Sequence, residues 1–234
     1  MKIRDISGLL LIIASAVGVF AVLGMVFLYA PREATMGEVQ RIFYFHVASA
    51  WVGFFAFFVT FLGSIGYLAR EERRWDVLAL SSVEIGLTFI TMTVVTGSLW
   101  ARPVWGTFWT WEPRLTISAV QLLIYLAYGM LRASIEEPQR KARFAAVYGI
   151  VAFVTVPLSW FAIRWWRTIH PDILTGNGEM ALTPRMVHTL LVSLVAFTLL
   201  YATLLWRRMR LEQVRDRVSA IRDQVSGIRY QGSG

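Results

Sequence analysis

Six long apolar stretches separated by short polar segments set the plan of this chain. They run at about 7–30, 43–69, 77–99, 116–133, 144–163 and 186–206. Each is near the ~20 residues a helix needs to cross the hydrocarbon core. Backbone groups there must bond within the segment, so runs of this kind are helices. The pattern predicts an all-α integral membrane protein with six transmembrane helices. The first run follows Lys2 and Arg4 and is longer than the ~7–15 apolar residues of a signal-peptide core, so it reads as a retained span. Beyond Trp206, apolar residues return at Leu211, Val214, Val218, Ile221, Val225 and Ile228. That alternation of threes and fours is a heptad stripe, open to three readings: lying on the membrane, pairing with a cytoplasmic partner, or continuing the sixth span as a free amphipathic end. The expected division is a membrane domain over 1–206, an amphipathic helical tail over 207–230, and a remnant-like end at 231–234 that carries no weight.

Between the third and fourth runs lies a segment of another kind, residues 100–116. It holds Trp100, Trp105, Trp109 and Trp111, interleaved with Arg102, Glu112 and Arg114 and broken by Pro103, Gly106 and Pro113. It is too polar to span and too aromatic for an ordinary solvated loop. Indole rings settle at the membrane boundary, and a dense patch of them makes a flat platform for a large planar ligand.

Charge sets the expected orientation. The N-terminus, residues 70–74, residues 132–143 and the tail hold 16 of the 23 Lys and Arg residues. The segments at 31–42, 100–115 and 164–185 hold the other seven. The excess of Lys and Arg on cytoplasmic loops predicts both termini in the cytoplasm and the Trp-rich loop outside. The net charge of +8 therefore reads as membrane topology, not nucleic-acid binding. The chain has no cysteine, which excludes disulfides, thiolate metal sites and a CxxCH haem attachment within it. It has no GxxxxGK[ST] or GxGxxG motif either.

Three histidines fall on the predicted outer side: His46, His170 and His188. Neutral imidazole is a common ligand of metals and of haem iron. Two of them on opposite sides of an aromatic shelf would clamp haem. Arginines, with Arg41 and Arg114 nearest, would balance its propionates by bidentate bonding. His46 and His170 flank the Trp-rich segment in sequence, whereas His188 has helical surroundings and reads as structural.

The run Trp105-Gly-Thr-Phe-Trp109-Thr-Trp111-Glu-Pro-Arg114-Leu-Thr116 resembles the tryptophan-rich WWD signature, WGxxWxWDxRLT. That signature marks the haem-handling membrane proteins of cytochrome c maturation. The six spans and the placing of two outer histidines resemble the short CcmC type of that family, over roughly residues 1–206. The resemblance implies His46 and His170 as axial ligands of a non-covalent, transiently held haem b. It implies Trp105, Trp109, Trp111 and Arg114 as its platform, with Arg41 nearby. Glu112 departs from the usual Asp by one methylene. The implied role is a non-enzymatic one in the bacterial inner membrane: holding haem at the outer face and helping to load a membrane-anchored periplasmic haem chaperone. The implied partners are that chaperone, ABC transporter subunits and a small single-span subunit. The alternative is a b-type membrane cytochrome that carries electrons. Glu84, Thr88 and Thr91 share one face of the third helix, expected as a hydrogen-bonded stripe facing the bundle, with contact to the transporter partner as the alternative.

Overall fold

A computed structural model describes residues 3–166, 168–171 and 182–231. Among these the chain is helical. The helices are α1 (Ile3–Gly24), α2 (Arg41–Arg70), α3 (Arg73–Trp105), α4 (Pro113–Ser134), α5 (Pro138–Phe153), α6 (Thr155–Trp165) and α7 (Pro184–Gln231). A π-helical turn over Met25–Tyr29 prolongs α1. Six helical stretches are long and apolar enough to cross a membrane, as the apolar pattern predicts. α5 and α6 together make one of them. Pro157 causes the break between the two, because its ring crowds the carbonyl four residues back, at Phe153, and it offers no N–H.

α2 lies at the centre, packed along α3 and against α5 and α7, while α1 covers α7 and α4 rests on α5 and α6. Phe57 from α2 meets Val83 and Ile90 from α3 and Tyr125 and Tyr128 from α4 in one buried cluster. A second cluster joins Val22 and Val26 to Tyr44, Met186 and Leu190. Leu10, Val17 and Phe20 on α1 and Leu123 and Met130 on α4 are exposed, as side chains facing lipid would be.

α4 is polar inside and apolar outside. Gln121, Tyr125, Tyr128 and Arg132 are buried, and their spacing of four, three and four keeps them on one helical face. The same face carries Arg114 and Ser118 at its start. At the far end Arg132 is locked to Asp76 of α3 by bonds of 2.5 and 3.1 Å, both side chains buried.

Two expectations are corrected. First, the Trp-rich segment is not a loop throughout, because α3 continues through Pro103 to Trp105. The proline falls in the last turn, where its missing N–H removes a single helical bond. The helix stops at Gly106, whose φ of +77° is open to glycine at little cost. Second, Glu84, Thr88 and Thr91 lie on the outer surface of the bundle, not inside it. Glu84 is paired with Arg208 of α7 at 2.6 and 3.0 Å, and each threonine hydroxyl donates to the carbonyl four residues back on its own helix. The tail continues the last span, since α7 runs unbroken past Trp206.

Candidate functional site

The ends of α2, α3 and α4 and the segment after α6 frame a cleft at one end of the bundle. It encloses roughly 910 Å³ of empty space, open solvent at its mouth included. Its walls are mostly apolar and aromatic, among them Phe43, Phe54, Trp100, Trp105 and Trp109.

His46 enters from the second turn of α2, and α3 holds it in place. Its Nδ1 lies 3.2 Å from the Thr96 hydroxyl, which itself donates to the Met92 carbonyl at 2.6 Å. Gly97 leaves the room: a Cβ there would sit 2.9 Å from the imidazole Cε1. His170 stands outside any helix, and a short chain of bonds fixes it. Its backbone N–H donates to the Thr168 hydroxyl at 3.0 Å, and that hydroxyl donates to the Glu112 carboxylate. The other Glu112 oxygen caps α4 by accepting from the Leu115 N–H at 2.7 Å. Glu112 thus ties the start of α4 to the segment that carries His170. The His170 Nδ1 is 3.0 Å from the Pro171 carbonyl.

The two imidazoles lie close together, with ring centroids 6.3 Å apart and planes inclined at 36°. Two metal–nitrogen bonds of about 2 Å each, with an imidazole at either end, fill a span of this size. Each ring has its Nδ1 engaged, which leaves Nε2 to a metal, and such outer bonds orient metal-binding histidines. Burial, the Arg114 charge and the neighbouring His46 push the His170 ring from its ordinary range down to about 3, so it is neutral near pH 7 with a lone pair to offer.

Arg114 lines the cleft and also donates to the Ser159 carbonyl of α6 at 3.1 Å. Among the described residues the lining includes this arginine and no acid, so the cleft suits an anionic group. The buried indole N–H of Trp109 has no hydrogen-bond partner among the described residues. A buried donor left so costs about 1–3 kcal/mol, which a ligand oxygen would relieve. Apolar walls, neighbouring imidazoles, a cation and a waiting donor match haem and its propionates.

The structure thus brings His46, His170, Trp105, Trp109 and Arg114 together. It does not bring Trp111, which is 77% exposed and packs edge-on against Trp109. Arg41 is turned away, bonded to the Glu38 carboxylate and the Val26 carbonyl. Glu112 acts through Thr168, not on the cleft wall. His188 is exposed on α7, its Nδ1 3.2 Å from the Tyr29 hydroxyl. The sequence reading missed Thr96, Gly97, Trp100 and Thr168. Trp100 was visible as one of the four tryptophans, whereas the others look like ordinary span or loop residues.

The family model described as heme exporter protein C matches residues 2–224. The heme exporter protein C of Bradyrhizobium diazoefficiens is 37% identical over 190 residues, covering 81% of this chain and 72% of the relative. That of Escherichia coli K12 is 31% identical, covering 78% and 74%. That of Rhodobacter capsulatus is 30% identical, covering 91% and 90%. Bacterial relatives and six spanning helices mark a multi-pass inner-membrane protein. With the match running over nearly its whole length, the chain belongs to the heme exporter protein C family.

Proposed function

We propose that this chain holds a non-covalent haem b between His46 and His170 at the periplasmic face of the inner membrane and delivers it to a membrane-anchored haem chaperone during cytochrome c maturation. It does so beside ABC transporter subunits and a small single-span subunit, without itself catalysing a reaction. The observation that carries the reading is the pair of neighbouring imidazoles in an aromatic, cationic cleft. Trp105 and Trp109 would pack the macrocycle, and Arg114 would meet a propionate.

The sidedness rests on charge. Both candidate ligands sit at the end of the bundle with few basic residues, so the positive-inside bias puts both termini in the cytoplasm and opens the cleft outward. The two ligands also differ in their hold. His46 is built into a spanning helix, while His170 depends on the Glu112–Thr168 tie. A partner offering a competing ligand would displace His170 first. A b-type electron carrier would want haem sites at separated depths, and the third histidine lies outside the cleft.

The deciding experiment is the haem absorption spectrum of purified protein and its histidine variants. His46→Ala and His170→Ala are expected to lose or shift the Soret band, and His188→Ala to keep it. Equal loss in all three would overturn the assignment. The same protein tests sidedness, since it has no native cysteine. A cysteine at Thr107 should react with an impermeant thiol reagent in intact spheroplasts, and one at Gln139 only after lysis.

A further inference from the structure

α7 is far longer than a membrane requires. Its 48 residues extend about 72 Å, against a hydrocarbon core of about 30 Å. Beyond Trp206 it carries Leu211, Val214, Val218 and Ile221, all exposed, at heptad spacing. The sequence keeps that register at Val225 and Ile228. Such a stripe wants a cover, and the structure narrows what the cover is.

The bundle is not the cover. Arg208, Glu212 and Asp216 recur every four residues and face α3, where they pair with Glu84 and Arg73. On a helix turning about 100° per residue the apolar stripe points roughly 140° away from that ionic face. The bilayer is not the cover either. Glu212 is buried between Arg73 and Arg208, which fixes the first turn of the extension against α3, and no proline or helix break follows before Gln231. The extension therefore leaves the membrane along the axis of its spanning part and carries the stripe away from lipid.

Charge decides between a second copy and a different partner. With Leu211 and Val218 at the a positions and Val214 and Ile221 at d, the flanking e and g positions are Arg210, Arg215, Arg217, Arg222, Gln224 and Arg229. None is acidic. In a parallel pair of identical helices g faces e, and in an antiparallel pair g faces g and e faces e. Either arrangement of two copies sets arginine against arginine, a repulsion that specific coiled coils use to exclude partners.

We infer that the extension of α7 is a docking helix for an acidic amphipathic helix of another protein, one with apolar residues in heptad spacing and Glu or Asp flanking them. It projects from the face of the membrane opposite the histidine cleft, and the inference is independent of what the cleft binds. Selectivity comes from the arginine flanks and the hold from the apolar seam.

The test places an environment-sensitive fluorophore on Gln224→Cys, beside the stripe, in the full chain held in lipid nanodiscs. The probes are three synthetic peptides: one with Leu and Val at a and d and Glu at e and g, one with Lys in place of Glu, and one with the Glu composition scrambled out of register. The Glu peptide is expected to give a saturable blue shift, on the order of tenfold tighter than the Lys peptide, weakening as salt rises. The triple variant Arg215→Glu, Arg217→Glu, Arg222→Glu should reverse the preference, and an unchanged thermal melting profile checks that it is folded. Equal response to the Glu and scrambled peptides, or no response to either, would overturn the proposal. A blue shift without peptide would do the same, whether in discs of anionic lipid, making the membrane the cover, or on raising protein concentration, making it a second copy.

Discussion

The two ends of the bundle are built on opposite terms. At the histidine end, two imidazoles, three indoles and one arginine line a cleft with no acid among the described lining residues. At the other end the charges are paired. Asp76 is shared by Arg132 and Arg73, Glu212 by Arg208 and Arg73, and Glu84 is held by Arg208. The closed end couples α3, α4 and α7, while the open end lines its cleft with imidazole, indole and guanidinium groups. The proposed carrier role needs this division, because a site that must release its cargo cannot also be what holds the helices together.

The division is open to attack from either side. The largest effect is expected from Asp76→Ala, which strands the buried Arg132 guanidinium. Breaking one partner of a buried pair costs about 3–5 kcal/mol. The variant should unfold at clearly lower temperature in detergent while the molecules that remain folded still bind haem. Loss of haem without loss of stability would show that the two ends are not separable.

Next is Gly97→Ala, which acts in the opposite sense. The new methyl would crowd the His46 ring at 2.9 Å and push it off line. Haem titration should show a loss of affinity on the order of tenfold to a hundredfold, as when support for a metal-binding histidine is removed. Thermal stability should hardly change, since alanine is the better helix former.

Arg114→Ala should cost about 1.5–3 kcal/mol of haem binding, the worth of a charge-assisted bond. It also changes the pH profile. In the native chain His170 takes up a proton only near pH 3, so proton competition for this ligand is absent between about pH 8 and 5. Removing the Arg114 charge lets the His170 pKa rise toward its ordinary value, so affinity should start to fall at a higher pH than in the native protein. An unshifted profile in the variant would mean that burial alone sets the His170 pKa.

The smallest effect belongs to Glu112→Asp. Aspartate caps a helix well, so the bond to the Leu115 N–H survives. The shorter arm reaches Thr168 less well, a loss of about 0.5–1.5 kcal/mol felt only through His170. Faster haem release with unchanged melting is the expected signature.

What the sequence made legible follows the same physics. Uninterrupted apolar runs have one solution in a bilayer, so the six spans could be read directly. The aromatic segment and both cleft histidines were also legible, because their residue types are unusual in combination. Arg41 misled through proximity: five residues on a helix is a rotation of about 140°, so nearness to His46 in sequence puts it on another face. Glu84 misled because a polar stripe on a spanning helix does not say which way it points, and its partner Arg208 is 124 residues away. Gly97 was silent because a single glycine in a span has no mark that separates a space left for a ring from ordinary helix packing.

The polar inner face of α4 bears on how the protein comes to be made. Of the six spans α4 is the least apolar, with Arg114 and Arg132 near its ends and Gln121 buried between them. A helix leaving the ribosome alone would present that face to lipid, where it has no partners. Its neighbours α2 and α3 precede it in the chain and α5 and α6 follow, so during synthesis α4 emerges when half of its seat is already in the membrane and half is still to come. The seat of its buried face is thus complete only once α5 and α6 have joined the helices that precede it.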